Sequence, residues 1–137
     1  MNGHRLIDIP RFVEPRGSLS VIEGTPLLPF NPVRFFYIYG VPDWAERGGH
    51  ALKTNQEFLI ALSGSFRIRL DDGSAAAEYV LDRPDQGLYV PPFTWQLLHS
   101  FTPGAVCGVF ASELYDEHGY YRVYEEFLEA VRRNGNG

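Results

Sequence analysis

Apolar residues follow a two-residue rhythm along most of the chain. Phe66, Ile68 and Leu70 alternate with Arg67, Arg69 and Asp71, as in a strand with one wet face. Arg34-Phe35-Phe36-Tyr37-Ile38-Tyr39 is aromatic and β-branched, and Val41-Pro42-Asp43 ends it. Glu57 to Leu62 is a short apolar run stopped by Ser63-Gly64, and Asp72-Gly73 is a turn signal that returns the chain through Glu78 to Leu81. Gly87 to Val90 stops at Pro91-Pro92. Trp95 to Phe101 and Ala105 to Ala111 form two more strand patterns separated by Thr102-Pro103-Gly104. Short strands at a spacing of roughly 8 to 12 residues predict an all-β sandwich or barrel rather than a parallel α/β sheet.

The rhythm changes once. From Asp116 onward, Tyr120, Val123, Tyr124, Phe127, Leu128 and Val131 fall at helical spacing, and Arg132 and Arg133 suit the negative end of the helix dipole. The pattern predicts a β-barrel closed off by one C-terminal amphipathic helix. Asn134 to Gly137 has nothing to pack and is expected to be a disordered tail.

Composition narrows this picture. The 137 residues fit a single domain, and 45% hydrophobic with 21% charged residues suits a packed core. A net charge of -5 without a dense basic run argues against nucleic acid as a partner, although scattered arginines can still converge on an anionic small ligand. Cys107 is the only cysteine, so neither an intrachain disulfide nor a cysteine-based zinc cluster is expected, and its small apolar neighbours predict an inert buried thiol. No run has the length of a signal-peptide core or a bilayer span; the expectation is no membrane association and a cytoplasmic address.

The chemistry concentrates in Arg47-Gly48-Gly49-His50-Ala51-Leu52-Lys53, followed by Glu57 and Gly64. His50, Glu57 and Gly64 keep the spacing of the metal-binding cupin motif, but Leu52 takes the place of its second histidine. A divalent ion needs three or four nitrogen or oxygen ligands, leucine supplies none, and His99 is the only later histidine on a predicted strand. Neither a metal nor another cofactor is expected.

Further pieces are spread from end to end. They are Arg16-Gly17-Ser18-Leu19, Val33-Arg34 with Tyr37-Ile38, Arg47-Gly48-Gly49-His50-Ala51 with Lys53, Ala61-Leu62-Ser63-Gly64-Ser65, Leu70-Asp71-Asp72-Gly73, Gly87-Leu88-Tyr89-Val90, Trp95, and Ala111-Ser112 through Tyr115-Asp116-Glu117. In this order they resemble the WxcM-like (FdtA-like) cupins, a family of TDP-4-keto-6-deoxyglucose 3,4-ketoisomerases. The resemblance implies an RmlC-like cupin jelly roll and a metal-free isomerase of deoxysugar biosynthesis. Such an enzyme moves a ketone from C4 to C3 of a nucleotide-linked sugar through an enediol. It also implies a homodimer that exchanges N-terminal strands.

The resemblance makes His50, the first member of the family's histidine pair, the principal acid/base group; imidazole suits that task because it titrates near working pH. Arg34 and Arg47 are expected to hold the diphosphate, since guanidinium forks suit phosphate oxygens. A second proton-transfer group would come from His99, Tyr37 or Glu57. Arg16 matches a variant resembling the galacto-configured-product enzymes, and Gln96 stands where relatives often have histidine or arginine. Arg16, Lys53, Trp95, Gln96 and Glu57 complete the expected substrate contacts. Trp95 and His99 lie four residues apart and face the same way on a regular strand, either both into the cavity or both packed between protomers. Tyr37 and Trp95 suit a core aromatic as well as a ligand contact. The departures at Leu52 and Gln96 leave an alternative: a sugar-nucleotide-binding cupin without catalysis, or an isomerase or epimerase of altered reaction.

Overall fold

The computed structural model describes residues 3–135. Its elements run β1 (Arg5–Asp8), β2 (Arg11–Glu14), β3 (Gly17–Ser20), β4 (Arg34–Tyr39), β5 (Arg47–Leu52), β6 (Glu57–Ser63), β7 (Phe66–Asp71), β8 (Ala76–Leu81), β9 (Gln86–Val90), β10 (Trp95–His99), β11 (Val106–Ala111), β12 (Tyr120–Tyr121) and α1 (Tyr124–Gly135). One 5-stranded sheet has the order β1-β9-β6-β11-β4 and a second the order β12-β5-β10-β7-β8, while β2 and β3 form a separate hairpin. The pairings among described residues are antiparallel.

The two inner faces meet in one core. Leu59, Leu88, Cys107 and Val109 of the first sheet pack with Phe66, Ile68, Leu70, Leu81 and Leu98 of the second. Strand β7 keeps its predicted alternation, with Phe66, Ile68 and Leu70 buried and Arg67 and Arg69 exposed. Strand β6 reads as a continuous apolar run because both of its faces are covered. Leu59 and Ala61 enter the core between the sheets, whereas Phe58 and Ile60 meet Ile9, Leu28, Phe30 and Tyr89 on the outer side.

Helix α1 lies on the outer face of the second sheet. Phe127 is fully buried there, with its ring centroid 5.7 Å from that of Trp95. Acidic Glu125 and Glu126 open the helix and Arg132 and Arg133 close it, which matches the dipole at both ends.

The strands form two facing sheets with the single C-terminal helix that was expected, and no pairing among the described residues joins one sheet to the other. Two expectations are corrected. The helix starts at Tyr124, because Tyr120–Tyr121 is drawn into a strand that pairs with Leu52 and Ala51 of β5. Asn134 and Gly135 belong to α1 instead of a tail, and Asn136 and Gly137 lie outside the described residues.

Candidate functional site

A half-open cavity of about 350 Å³ lies between the sheets. Phe36, Ile38, Leu59, Leu98 and Val109 make its apolar wall, and His50, Glu57, Gln96, Arg47, Tyr120 and Arg122 bring the polar groups. A few polar groups converging on an apolar hollow of this size are what a small-ligand site requires.

Local backbone geometry explains how Arg47 and His50 reach the same space. Residues three apart on a regular strand face opposite sides. Here Gln96 pairs with His50 but Leu97 pairs with Gly48, so Gly49 is an extra residue, a bulge that turns both side chains inward. Gly48 and Gly49 take φ values of 86° and 73°, and a Cβ on Gly48 would sit 2.9 Å from the Gln96 carbonyl oxygen. The diglycine before His50 is therefore a backbone requirement of the site.

His50 is half-buried, with its ring edge-on to Tyr120 at a centroid distance of 5.0 Å. Burial, reinforced by the Arg122 charge, lowers its pKa to about 4. Imidazole is thus neutral at neutral pH and available as a base. The Arg122 guanidinium lies 4.3 Å from the centre of the Tyr120 ring, so cation, phenol and imidazole are held together at the cavity mouth.

Glu57 is 4% exposed, and its Oε1 accepts a hydrogen bond from Nε2 of Gln96 at 2.9 Å. Burial pushes its pKa above the ordinary carboxyl value; the Gln96 bond and the charge of Arg34 only partly oppose that. Cys107 is buried, and burial followed by the nearby Glu57 charge pushes its pKa up, as suits an inert thiol.

Tyr37 borders the cavity, as does Tyr39, from the exposed row of β4 that they share with Phe35, while Phe36 and Ile38 face inward. Other expected site residues lie elsewhere. His99 and Trp95 do share a face, but it is the outer one. His99 Nε2 meets Glu78 Oε1 at 2.6 Å, and Trp95 packs edge-on to Tyr124 at 5.3 Å beneath α1. Arg34 borders a separate small hollow with Asn55, Glu113 and Asp116, and its guanidinium lies over Phe36 at 5.0 Å. Leu52, at the second motif position, is buried and borders that same hollow. Lys53 lies over the Tyr121 ring at 5.1 Å, and Arg16 is exposed at the turn of the β2–β3 hairpin. Among the described residues no three His, Cys, Asp or Glu side chains gather as a metal site would need.

The family described as FdtA: WxcM-like, C-terminal matches residues 2–132. The chain belongs to this family. It is 38% identical over 130 residues to the TDP-4-oxo-6-deoxy-alpha-D-glucose-3,4-oxoisomerase of Aneurinibacillus thermoaerophilus, covering 95% of this chain and 94% of that one. Among solved structures it resembles QdtA, a sugar 3,4-ketoisomerase from Thermoanaerobacterium thermosaccharolyticum in complex with TDP, with a TM-score of 0.93, 35% identity and 96% of each chain covered. It also resembles the WlaRB TDP-quinovose 3,4-ketoisomerase of Campylobacter jejuni, with a TM-score of 0.90, 36% identity, and 94% of this chain and 99% of that one covered. The cupin-type fold expected from the motifs is the fold these relatives share.

Within this FdtA-family fold, sequence reasoning missed Tyr120 and Arg122. They lie far along the chain from the His50 segment and enter the site only because β12 pairs with β5. The available signal was the strand-like run Tyr120-Tyr121-Arg122-Val123 after Gly119, which the helical spacing overrode.

Proposed function

We propose that this protein is a sugar 3,4-ketoisomerase that acts on a nucleotide-linked 4-keto-6-deoxyhexose in deoxysugar biosynthesis. The observation that carries the reading is a neutral His50 lining a cavity with two cations, Arg47 and Arg122, that pair with no carboxylate among the described residues, in a chain closely similar to named 3,4-ketoisomerases. The hollow suits one sugar ring, and the nucleotide extends outward past the arginines.

His50 takes the proton from C3, which the C4 ketone acidifies, and the enediol receives a proton at C4. Arg47 and Arg122 hold the diphosphate; Arg122 takes the second position that the sequence had suggested for Arg34. Diphosphate on Arg122 offsets the lesser of the two influences that depress His50, while burial, the larger one, remains. Gln96 fixes Glu57 and contacts the sugar.

A homodimer belongs to the same proposal. Phe35, Tyr37 and Tyr39 form an exposed aromatic row on β4, and Phe12, Val13 and Leu19 are exposed on the β2–β3 hairpin. A partner subunit that covers both surfaces would account for them, and exchanged hairpins would present Arg16 to the partner's cavity. A cytoplasmic location fits an enzyme of sugar-nucleotide metabolism, and no helix among the described residues is long and apolar enough to cross a membrane.

The test is His50→Ala, with turnover of TDP-4-keto-6-deoxyglucose and TDP affinity measured side by side. Turnover should fall about 10³-fold while the TDP dissociation constant stays within about threefold. Turnover at the wild-type rate would remove the base from the account.

A further inference from the structure

The reaction moves two protons, one between carbons and one between oxygens, and His50 accounts for only one of them. Three groups were open for the second role. His99 stands on an outer face. Tyr37 and Glu57 both border the cavity with His50, but Tyr37 is on the exposed row of β4 whereas Glu57 is buried beside Gln96. Its Oε1 is held by Gln96, whose backbone pairs with His50 across β10 and β5. Among the described residues Oε2 takes no hydrogen bond, and it is not one of the sealed unpartnered atoms, of which Arg34 Nε is the example. One carboxyl oxygen is therefore fixed and the other faces the cavity.

Resting on the ketoisomerase reading, we propose that Glu57 is the second catalytic residue and carries the proton that passes between the two sugar oxygens. In the first half-reaction His50 removes the C3 proton. The C3–H electron pair forms the C3–C4 double bond, and the carbonyl π pair moves onto the C4 oxygen, which the Glu57 acid protonates. In the second half the Glu57 carboxylate takes the C3 hydroxyl proton and the C3 carbonyl forms. The double-bond pair then accepts a proton at C4 from the His50 imidazolium. Both side chains end as they began, and no oxidant, reductant or cofactor is consumed.

The environments support this division of labour. Burial keeps the carboxyl protonated to higher pH and the imidazole neutral to lower pH, the opposed pair that acid–base work requires. Charges around Glu57 come from Arg34 on β4, Arg47 on β5 and Arg122 after β12, with neutral Cys107 behind it on β11. The Gln96 bond and the Arg34 charge favour the carboxylate and so oppose burial in part. Leu52 in place of a second histidine is then tolerated, because Glu57 supplies the function from β6.

The experiment compares the full-length wild type with Glu57→Gln, which preserves size and a polar partner for Gln96. Glu57→Gln should lower kcat at least about 10²-fold, with KM and TDP affinity within about threefold, and should erase the alkaline limb of the wild-type pH–rate profile. A carbon-13 titration of the wild-type Glu57 carboxyl should place its protonation above the ordinary carboxyl range. Retained kcat, a surviving alkaline limb, or an ordinary carboxyl titration would each overturn the assignment to Glu57. A wild-type protein that leaves TDP-4-keto-6-deoxyglucose unchanged would instead overturn the ketoisomerase reading itself.

Discussion

His50 and His99 sit on neighbouring strands of one sheet, yet their surroundings give them different chemistry. His50 faces the space between the sheets, where burial and Arg122 keep it neutral to about pH 4. His99 faces outward, bonded to Glu78 at 2.6 Å and Ser100 Oγ at 2.9 Å, on the side of the sheet that carries Trp95. The same side chain is held neutral where it is buried and bonded to a carboxylate where it is partly exposed. The contrast extends along β10: Gln96 and Leu98 serve the cavity, while Trp95 anchors α1. One face of this sheet lines the cavity and the other carries the attachment of the helix.

If that division is right, substitutions on the two faces should fail in different assays. The largest stability effect is expected for Phe127→Ala, which empties a fully buried site under α1 and should cost about 3–4 kcal/mol in urea denaturation. TDP affinity should change little in the surviving folded fraction. A matching loss of nucleotide affinity would show that the faces are not separable.

The next effect concerns acid stability. Folded His50 titrates near 4 against 6.5 for the free side chain, so the unfolded chain binds more protons between those values and stability falls as pH drops through that window. Glu57 slopes the other way. Its raised folded pKa makes its contribution present below the unfolded value of 4.5, and that contribution is lost as pH rises through the folded value. Comparing wild type with His50→Gln isolates the first term. Between pH 7 and pH 5 the wild type should lose about 1–2 kcal/mol more than the variant in urea melts. Parallel losses would mean that His50 is not held neutral by the fold.

The smallest effect is expected for His99→Ala. It removes a partly exposed contact with Glu78, which should cost less than about 1 kcal/mol and leave kcat within threefold. A large loss of turnover would return His99 to the site and contradict the geometry.

The same contrast explains what the sequence makes legible. Strands β4 and β6 to β11 are readable because period-two patterns lie between strong turn signals, and β4 and β7 match their expected bounds. The hairpin strands β2 and β3 are exposed at every position, so no buried row marks them. Strand β12 hides in an aromatic stretch whose spacing also fits a helix. In the site, Arg47, His50, Glu57 and Gln96 are legible from motif positions. Facing is not: both rows of β4 are apolar or aromatic, so nothing in the sequence tells that Phe36 and Ile38 point inward and Tyr37 lies on the exposed row. For Trp95 and His99 the shared face could be read, but which face it was depended on where α1 packs.

The most direct test of the account is a proton NMR time course of the purified protein with TDP-4-keto-6-deoxyglucose in deuterated buffer. The account predicts a 3-keto isomer carrying deuterium at C4, formed by the wild type and suppressed in His50→Ala. A substrate spectrum that stays unchanged while its lines broaden from binding would contradict it, and would make the protein a sugar-nucleotide binder without the chemistry.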